Sequence, residues 1–233
     1  MTLALFLDID GTLLEHQAHP DAVKVDETLR GLIRDAYFKL DGALALVTGR
    51  SIAMADRLFL PLELPVAGLY GVEMRLKPGE PFSPSAESAE LTTVIERLIG
   101  RFKPVEGIYF ERKGAILAIH TRAAPDHLQE VIAAAEEALP ELDNYRIIAG
   151  HAGLELVPID VAKAKAIETF MGLAPFAGRK PVFIGDDTSD ESGFEEVNKA
   201  DGVSIRVKPN GPTAARETLP TVAAVHEWIR RTI

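Results

Sequence analysis

The sequence predicts an α/β fold, a mostly parallel sheet flanked by helices, with a smaller α+β domain inserted into it. Three observations predict it. Short apolar runs of strand length, Leu3 to Leu7, Ala43 to Val47 and Pro181 to Gly185, each break off into polar residues, as fully buried parallel strands do on reaching the edge of their sheet. Stretches of helical spacing follow each run. Between residues 78 and 157 the order changes to helix-strand-strand, twice over, the pattern of a small antiparallel sheet with helices on one face.

Each element has a local reason. Asp26 is placed to cap a helix whose apolar face is Leu29, Leu32, Ile33, Ala36, Tyr37 and Leu40, and Ser51 is placed to cap the next. Pro65 to Tyr70 reads as a third strand. The Pro- and Gly-rich stretch Lys77 to Pro84 marks the boundary, so 1–77 and 158–233 are expected to form the core and 78–157 the insertion. Inside the insertion, Leu91 to Phe102 and Leu128 to Leu139 have helical spacing, with Pro125 suited to a first turn, and Gly107 to Arg112, Ala115 to Arg122, Tyr145 to Ala149 and Leu154 to Val157 read as strands. The core pattern resumes with a helix starting near Lys163, the strand Pro181 to Gly185, a helix through Phe194 and Val197, a strand at Gly202 to Val207 and a last helix around Trp228.

With 233 residues, 47% of them hydrophobic and 26% charged, the chain is long and apolar enough to bury a core. Asp and Glu outnumber Lys and Arg by 35 to 25, a formal charge of −10, which argues against a nucleic-acid partner because phosphates would be repelled. There is no cysteine, so disulfides and thiolate metal sites are excluded. No stretch is long and apolar enough for a membrane span. The expectation is a cytoplasmic monomer acting on a small molecule.

The chemistry sits at the strand ends. Asp8 and Asp10, two residues apart in extended chain, project from the end of the first strand to the same side. Two carboxylates that close call for a compensating cation. Thr48, with the amides of its turn, suits a phosphate, and the strand Pro181 to Gly185 ends in the acidic group Asp186, Asp187 and Asp190. Ligands of open parallel sheets bind at the carboxyl ends of the strands, so these groups converge despite their separation in sequence. Magnesium takes several oxygen ligands, here Asp8, the carbonyl of Asp10 and Asp186, with Asp190 acting through a water. Asp8 is then the nucleophile of a phosphoryl transfer and Asp10 its acid and base, while Thr48 and Lys163 hold the remaining phosphate oxygens. His16 and His19, without a third nitrogen or sulfur ligand nearby, read as solvated loop residues.

These motifs, Asp8-Ile9-Asp10-Gly11-Thr12, Thr48, Lys163 and Gly185-Asp186-Asp187-Thr188-Ser189-Asp190 in that order, resemble the haloacid dehalogenase (HAD) superfamily of phosphatases. Within it, Thr48-Gly49-Arg50, Gly68-Leu69-Tyr70-Gly71-Val72-Glu73, and Lys113-Gly114 followed by His120 and Arg122 are similar to the trehalose-6-phosphate phosphatases. The resemblance implies a Rossmann-like core, a Mg2+ cofactor and a sugar-phosphate substrate. It makes the insertion a cap that closes over the sugar, with Glu111, Lys113 and Glu155 on trehalose hydroxyls, and places Gly49, Arg50, Gly71 and Glu73 on the substrate side. One segment departs from the family pattern: Pro158 to Ala164 lacks the usual Lys-Gly pair before the third-motif lysine, and the following Ala166-Ile167 aligns Lys163, not Lys165, with that position. Phosphatases for sucrose phosphate or mannosylphosphoglycerate, a phosphomannomutase, a receiver-like domain and a silent sugar-phosphate binder are the alternatives. Asp10 speaks against a receiver, and the complete set of motif carboxylates against a silent binder.

Overall fold

The computed structural model describes residues 2–16, 23–150 and 152–233; His19 and Pro20 lie outside that set. The chain divides into two compact units, Met1–Ser83 with Ala162–Ile233, and Pro84–Val161. Composition alone puts the boundaries at 78 and 157. Phe82, however, packs on the core of the first unit, and Ile159 donates its N–H to the Asn144 carbonyl of the second.

The first unit contains, numbered along the whole chain, β1 (Leu3–Leu7), α1 (Glu27–Lys39), β2 (Leu44–Val47), α2 (Ile52–Phe59), β3 (Val66–Gly68) and β4 (Glu73–Arg75). After the second unit come α5 (Lys163–Met171), β9 (Lys180–Gly185), α6 (Glu191–Lys199), β10 (Val203–Val207), β11 (Glu217–Leu219) and α7 (Val222–Thr232). Among the described residues seven strands form one sheet in the order β11-β10-β9-β1-β2-β3-β4. It is parallel except for β4, which runs antiparallel to β3. The strands β1, β2 and β9 are buried almost throughout, because helices cover both faces of such a sheet. Strand order reverses at β1, with β2 on one side and β9 on the other, and this is where an open α/β sheet leaves its ligand crevice. Register does the rest: Leu7 lies opposite Leu46 and Ile184, so Asp8, Thr48 and Asp186 all emerge at the same edge.

The helices start where their caps dictate. Asp26 accepts the Leu29 N–H at 2.7 Å, and Ser51 accepts the Met54 N–H at 3.3 Å. Two short strands, β4 and β11, carry no apolar run and are not evident in the sequence. The third strand stops at Gly68, short of Tyr70, because Leu69 and Tyr70 turn into left-handed backbone with φ of 50° and 60°.

The second unit contains α3 (Ala89–Phe102), β5 (Tyr109–Lys113), β6 (Ile116–His120), α4 (Leu128–Ala138), β7 (Tyr145–Gly150) and β8 (Gly153–Pro158). Pro125 opens a 3-10 turn that leads into α4. The four strands are antiparallel in the order β5-β6-β8-β7. Leu117, Ile119, Leu154 and Leu156 pack on the apolar faces of the helices. Strand alternation therefore puts Tyr109, Glu111, Lys113, Ala118, His120 and Glu155 on the opposite face.

The helix α6, which follows the acidic turn, lies close on β9. A Cβ at Gly193 would come within 2.4 Å of the Phe183 ring, which is itself buried against Phe194 at a centroid distance of 5.3 Å. Alanine is intrinsically the better helix former by about 1 kcal/mol, but overpacking a core costs about 1–3 kcal/mol. Gly193→Ala is therefore expected to lower stability by up to about 2 kcal/mol in a denaturant titration; a gain in stability would contradict the close packing.

Candidate active site

The centre of the site is a buried ammonium. Lys163, the first residue of α5, is 2% exposed and donates to Asp8 Oδ1 at 2.9 Å and to Asp190 Oδ1 at 2.6 Å. Lys165, two residues on, is exposed. Asp190 is fully buried, and its other oxygen accepts the backbone N–H groups of Asp186 and Asp187 at 2.9 and 3.1 Å. Asp187 in turn accepts the Ser189 N–H, a reciprocal cap that holds the acidic turn in shape.

Carboxylate oxygens of Asp8, Asp186 and Asp190 lie within 4.8 Å of one another. Three carboxylates around one lysine leave an excess of negative charge. Burial pushes the Asp8 carboxyl well above the usual range; Lys163 pulls it back, and Asp190 and Asp186 push it up again. Burial likewise raises Asp190, to about 6, against the pull of Lys163. For Lys163 burial works against the charge, but Asp190 and Asp8 outweigh it and hold the ammonium above the ordinary lysine range. A hard divalent cation fits such a set of oxygen donors. Both oxygens of Asp190 are already engaged, which leaves Asp8 and Asp186 as the carboxylates best able to reach a cation directly.

The Asp10 carboxylate stands apart from that cluster. Arg50 grips both of its oxygens, Nε to Oδ2 at 2.6 Å and Nη2 to Oδ1 at 2.7 Å. This two-pronged pairing fixes orientation as well as charge. Arg50 is buried, and its own N–H donates to the Thr48 hydroxyl at 3.2 Å across Gly49, so the Thr48-Gly49-Arg50 turn joins the Thr48 hydroxyl to the Asp10 carboxylate. Glu73 is also buried and accepts the Ile52 N–H at the start of α2 at 2.8 Å. Gly71 lies beside α5, near Ala166.

Three residues join this neighbourhood that sequence reasoning does not place there. His16 is not simply a solvated loop residue: its side chain is half exposed, but Nε2 lies 2.9 Å from Asp186 Oδ2, and that bond raises its pKa. Arg206, at the end of β10, donates to the Asp186 carbonyl at 3.2 Å and to Glu191 at 2.8 Å; a lone basic residue inside an apolar strand is its visible signal. Tyr70 presents its ring to Lys163. In the second unit, Lys113 lies 2.9 Å from Glu155 and 3.6 Å from Glu111, and Glu111 pairs with His120 Nε2 at 2.9 Å. The three predicted residues of that unit thus form one polar network on the sheet face away from the helices.

The profile of the trehalose-phosphatase family matches residues 6–221. The chain belongs to the trehalose-phosphatase family. It is 41% identical over 220 residues to a probable trehalose-phosphate phosphatase of Sinorhizobium fredii, covering 94% of this chain and 82% of that protein. It is 37% identical over 230 residues to the trehalose-6-phosphate phosphatase of Escherichia coli, covering 97% and 85%. Among solved structures, a trehalose-6-phosphate phosphatase related protein superposes with a TM-score of 0.77 at 25% identity over 99% of this chain and 96% of that one. A HAD-superfamily phosphatase from Bacteroides thetaiotaomicron shares the fold, with a TM-score of 0.64 at 15% identity over 99% and 94%. No described helix is long and apolar enough to cross a membrane.

Replacing Lys163 by Met strands two buried carboxylates, and losing one partner of a buried pair costs about 3–5 kcal/mol. The pH dependence has a definite sign. A carboxyl raised to about 6 opposes folding while it is ionised, and that opposition disappears as pH falls from about 6 toward its unfolded value. Lys163→Met is therefore expected to be strongly destabilised at pH 8 in chelator and much less so at pH 5. Equal losses at both pH values would contradict the charge account.

Proposed function

We propose that the chain is a magnesium-dependent phosphatase that converts trehalose 6-phosphate to trehalose and phosphate, with Asp8 as nucleophile. The observation that carries this reading is the pairing of Asp8 with buried Lys163 at the end of β1, with a second carboxylate two residues on held by Arg50, in a chain of the trehalose-phosphatase family.

In the first step an Asp8 oxygen attacks phosphorus, the bond from phosphorus to the sugar oxygen breaks, and Asp10 gives its proton to the departing alkoxide. In the second, ionised Asp10 takes a proton from water, whose oxygen attacks the aspartyl-phosphate; phosphate leaves and Asp8 is restored. Thr48 and Lys163 hold the non-reacting phosphate oxygens. Asp8, Asp186 and the Asp10 carbonyl, with Asp190 behind them, would hold magnesium, which would supply positive charge to offset repulsion between carboxylate and phosphate. Gly49, Arg50, Gly71 and Glu73 form the substrate side of the core, and Glu111, Lys113 and Glu155 of the inserted unit, read as a cap, bind the sugar hydroxyls. The network of one lysine between two carboxylates supports that role, since it combines donors and acceptors suited to hydroxyl groups. The acidic charge speaks against a nucleic-acid partner, and we read the chain as a cytoplasmic monomer.

Phosphate release from trehalose 6-phosphate, sucrose 6-phosphate, glucose 6-phosphate, mannosylphosphoglycerate and an aryl phosphate tests the proposal, with and without magnesium and with Asp8→Asn as the blank. The expected result is magnesium-dependent release with a preference for trehalose 6-phosphate of at least tenfold, and a rise in KM for that substrate alone in Lys113→Ala. Preference for another sugar would move the substrate assignment, and equal effects of Lys113→Ala on the disaccharide and aryl phosphates would remove Lys113 from the sugar site.

A further inference from the structure

The turn after β3 holds three consecutive residues in left-handed backbone, Leu69 at φ 50°, Tyr70 at φ 60° and Gly71 at φ 105°. Only the last is a residue that adopts this region freely. Side chains forced into it persist where surrounding contacts over-determine them, and such strain gathers at functional sites. The contacts here all lead to the motif around Thr48. Leu69 N–H donates to the Arg50 carbonyl at 2.9 Å and Tyr70 N–H to the Thr48 carbonyl at 2.9 Å, while Glu73, at the far end of the turn, accepts the Ile52 N–H.

This arrangement lays the Tyr70 ring over Gly49. A Cβ on Gly49 would sit 2.6 Å from the phenol oxygen and 2.8 Å from Cζ, so position 49 requires glycine for the ring to lie where it does. The same ring presents itself to the Lys163 ammonium, 5.8 Å from its centroid, within reach of a cation–π attraction. One half-buried aromatic ring therefore lies against the Thr48-Gly49 turn and faces Lys163, the two groups read above as holding phosphate oxygens.

We propose that Tyr70 is a positioning residue of the phosphate site: its ring fixes the Lys163 ammonium relative to the Thr48-Gly49 turn and shields the buried Asp8–Lys163–Asp190 group from water. The inference rests on the phosphatase reading above. Tyr70 acts on the phosphate end, so it is indifferent to the sugar.

Tyr70→Phe, Tyr70→Ala and Tyr70→Gly in the full chain separate ring, hydroxyl and backbone. Tyr70→Ala and Tyr70→Gly are expected to lower kcat at least tenfold on trehalose 6-phosphate and on an aryl phosphate alike, with Tyr70→Phe within twofold of the parent on both. Tyr70→Gly, which removes the ring together with the strain, is expected to melt higher than Tyr70→Ala and yet remain as impaired, which a purely structural role would not produce. Calorimetric titration with orthovanadate and magnesium should show affinity lost at least tenfold in the Ala and Gly variants and kept in Phe. Parental kcat in Tyr70→Ala, recovery of activity in Tyr70→Gly, or a loss in Tyr70→Phe as large as in Tyr70→Ala would overturn the inference. A parent protein inactive on every phosphate ester would overturn the phosphatase reading, and the vanadate titration would still decide the role of Tyr70.

Discussion

Lys163 is bonded at once to Asp8 and Asp190, with no more than 2% of its surface exposed, and the first unit is arranged to keep it there. Taking an ammonium out of water costs several kcal/mol, so a lysine at the start of a helix stays buried only where opposed charge is already fixed. Asp8 is fixed by β1 and Asp190 by the capped turn after β9. The lysine pins three segments that are 155 and 27 residues apart in the chain, and its single charge falls short of the carboxylates around it. That shortfall suits the same place to a divalent cation.

The sheet determines where the shortfall occurs. Because strand order reverses at β1 and the registers of β1, β2 and β9 align Leu7, Leu46 and Ile184, the residues just beyond them must share one edge. Side chains from the neighbouring turns then complete the site: Arg50 clamps Asp10, Arg206 holds the Asp186 carbonyl, and the strained Leu69–Gly71 turn is hydrogen-bonded onto Thr48 and Arg50. Together these contacts leave the carboxylates at the strand ends little freedom to reorient. Preorganisation of this kind is most of what phosphoryl transfer asks of a protein.

Much of this was legible in the residues. Apolar runs ending in Asp8, Thr48 and Asp186 locate the buried strands and their exits, since hydrophobic periodicity and polar termini act locally. Asp26 and Ser51 announce their helices for the same reason. The strands β4 and β11 escape because Glu73–Arg75 and Glu217–Leu219 carry no apolar run; their pairing comes from the neighbour strand and not from their own composition. The Asp10–Arg50 clamp was half visible, as both residues stood out by motif, yet only three-dimensional geometry pairs positions 40 residues apart. Tyr70 looked like the end of a strand, and its left-handed backbone is imposed by hydrogen bonds to residues 48 and 50, far from it in sequence. His16 was unreadable, because its contact joins it to Asp186, 170 residues away in the chain.

A phosphoryl group that passes through Asp8 can be trapped there. Rapid acid quench of the enzyme during turnover of trehalose 6-phosphate, followed by peptide mass spectrometry, should find a phosphorylated peptide whose modified residue is Asp8, and none in Asp8→Asn. Rapid phosphate release with no phosphopeptide at any quench time, or a phosphate located on a different residue, would contradict the account.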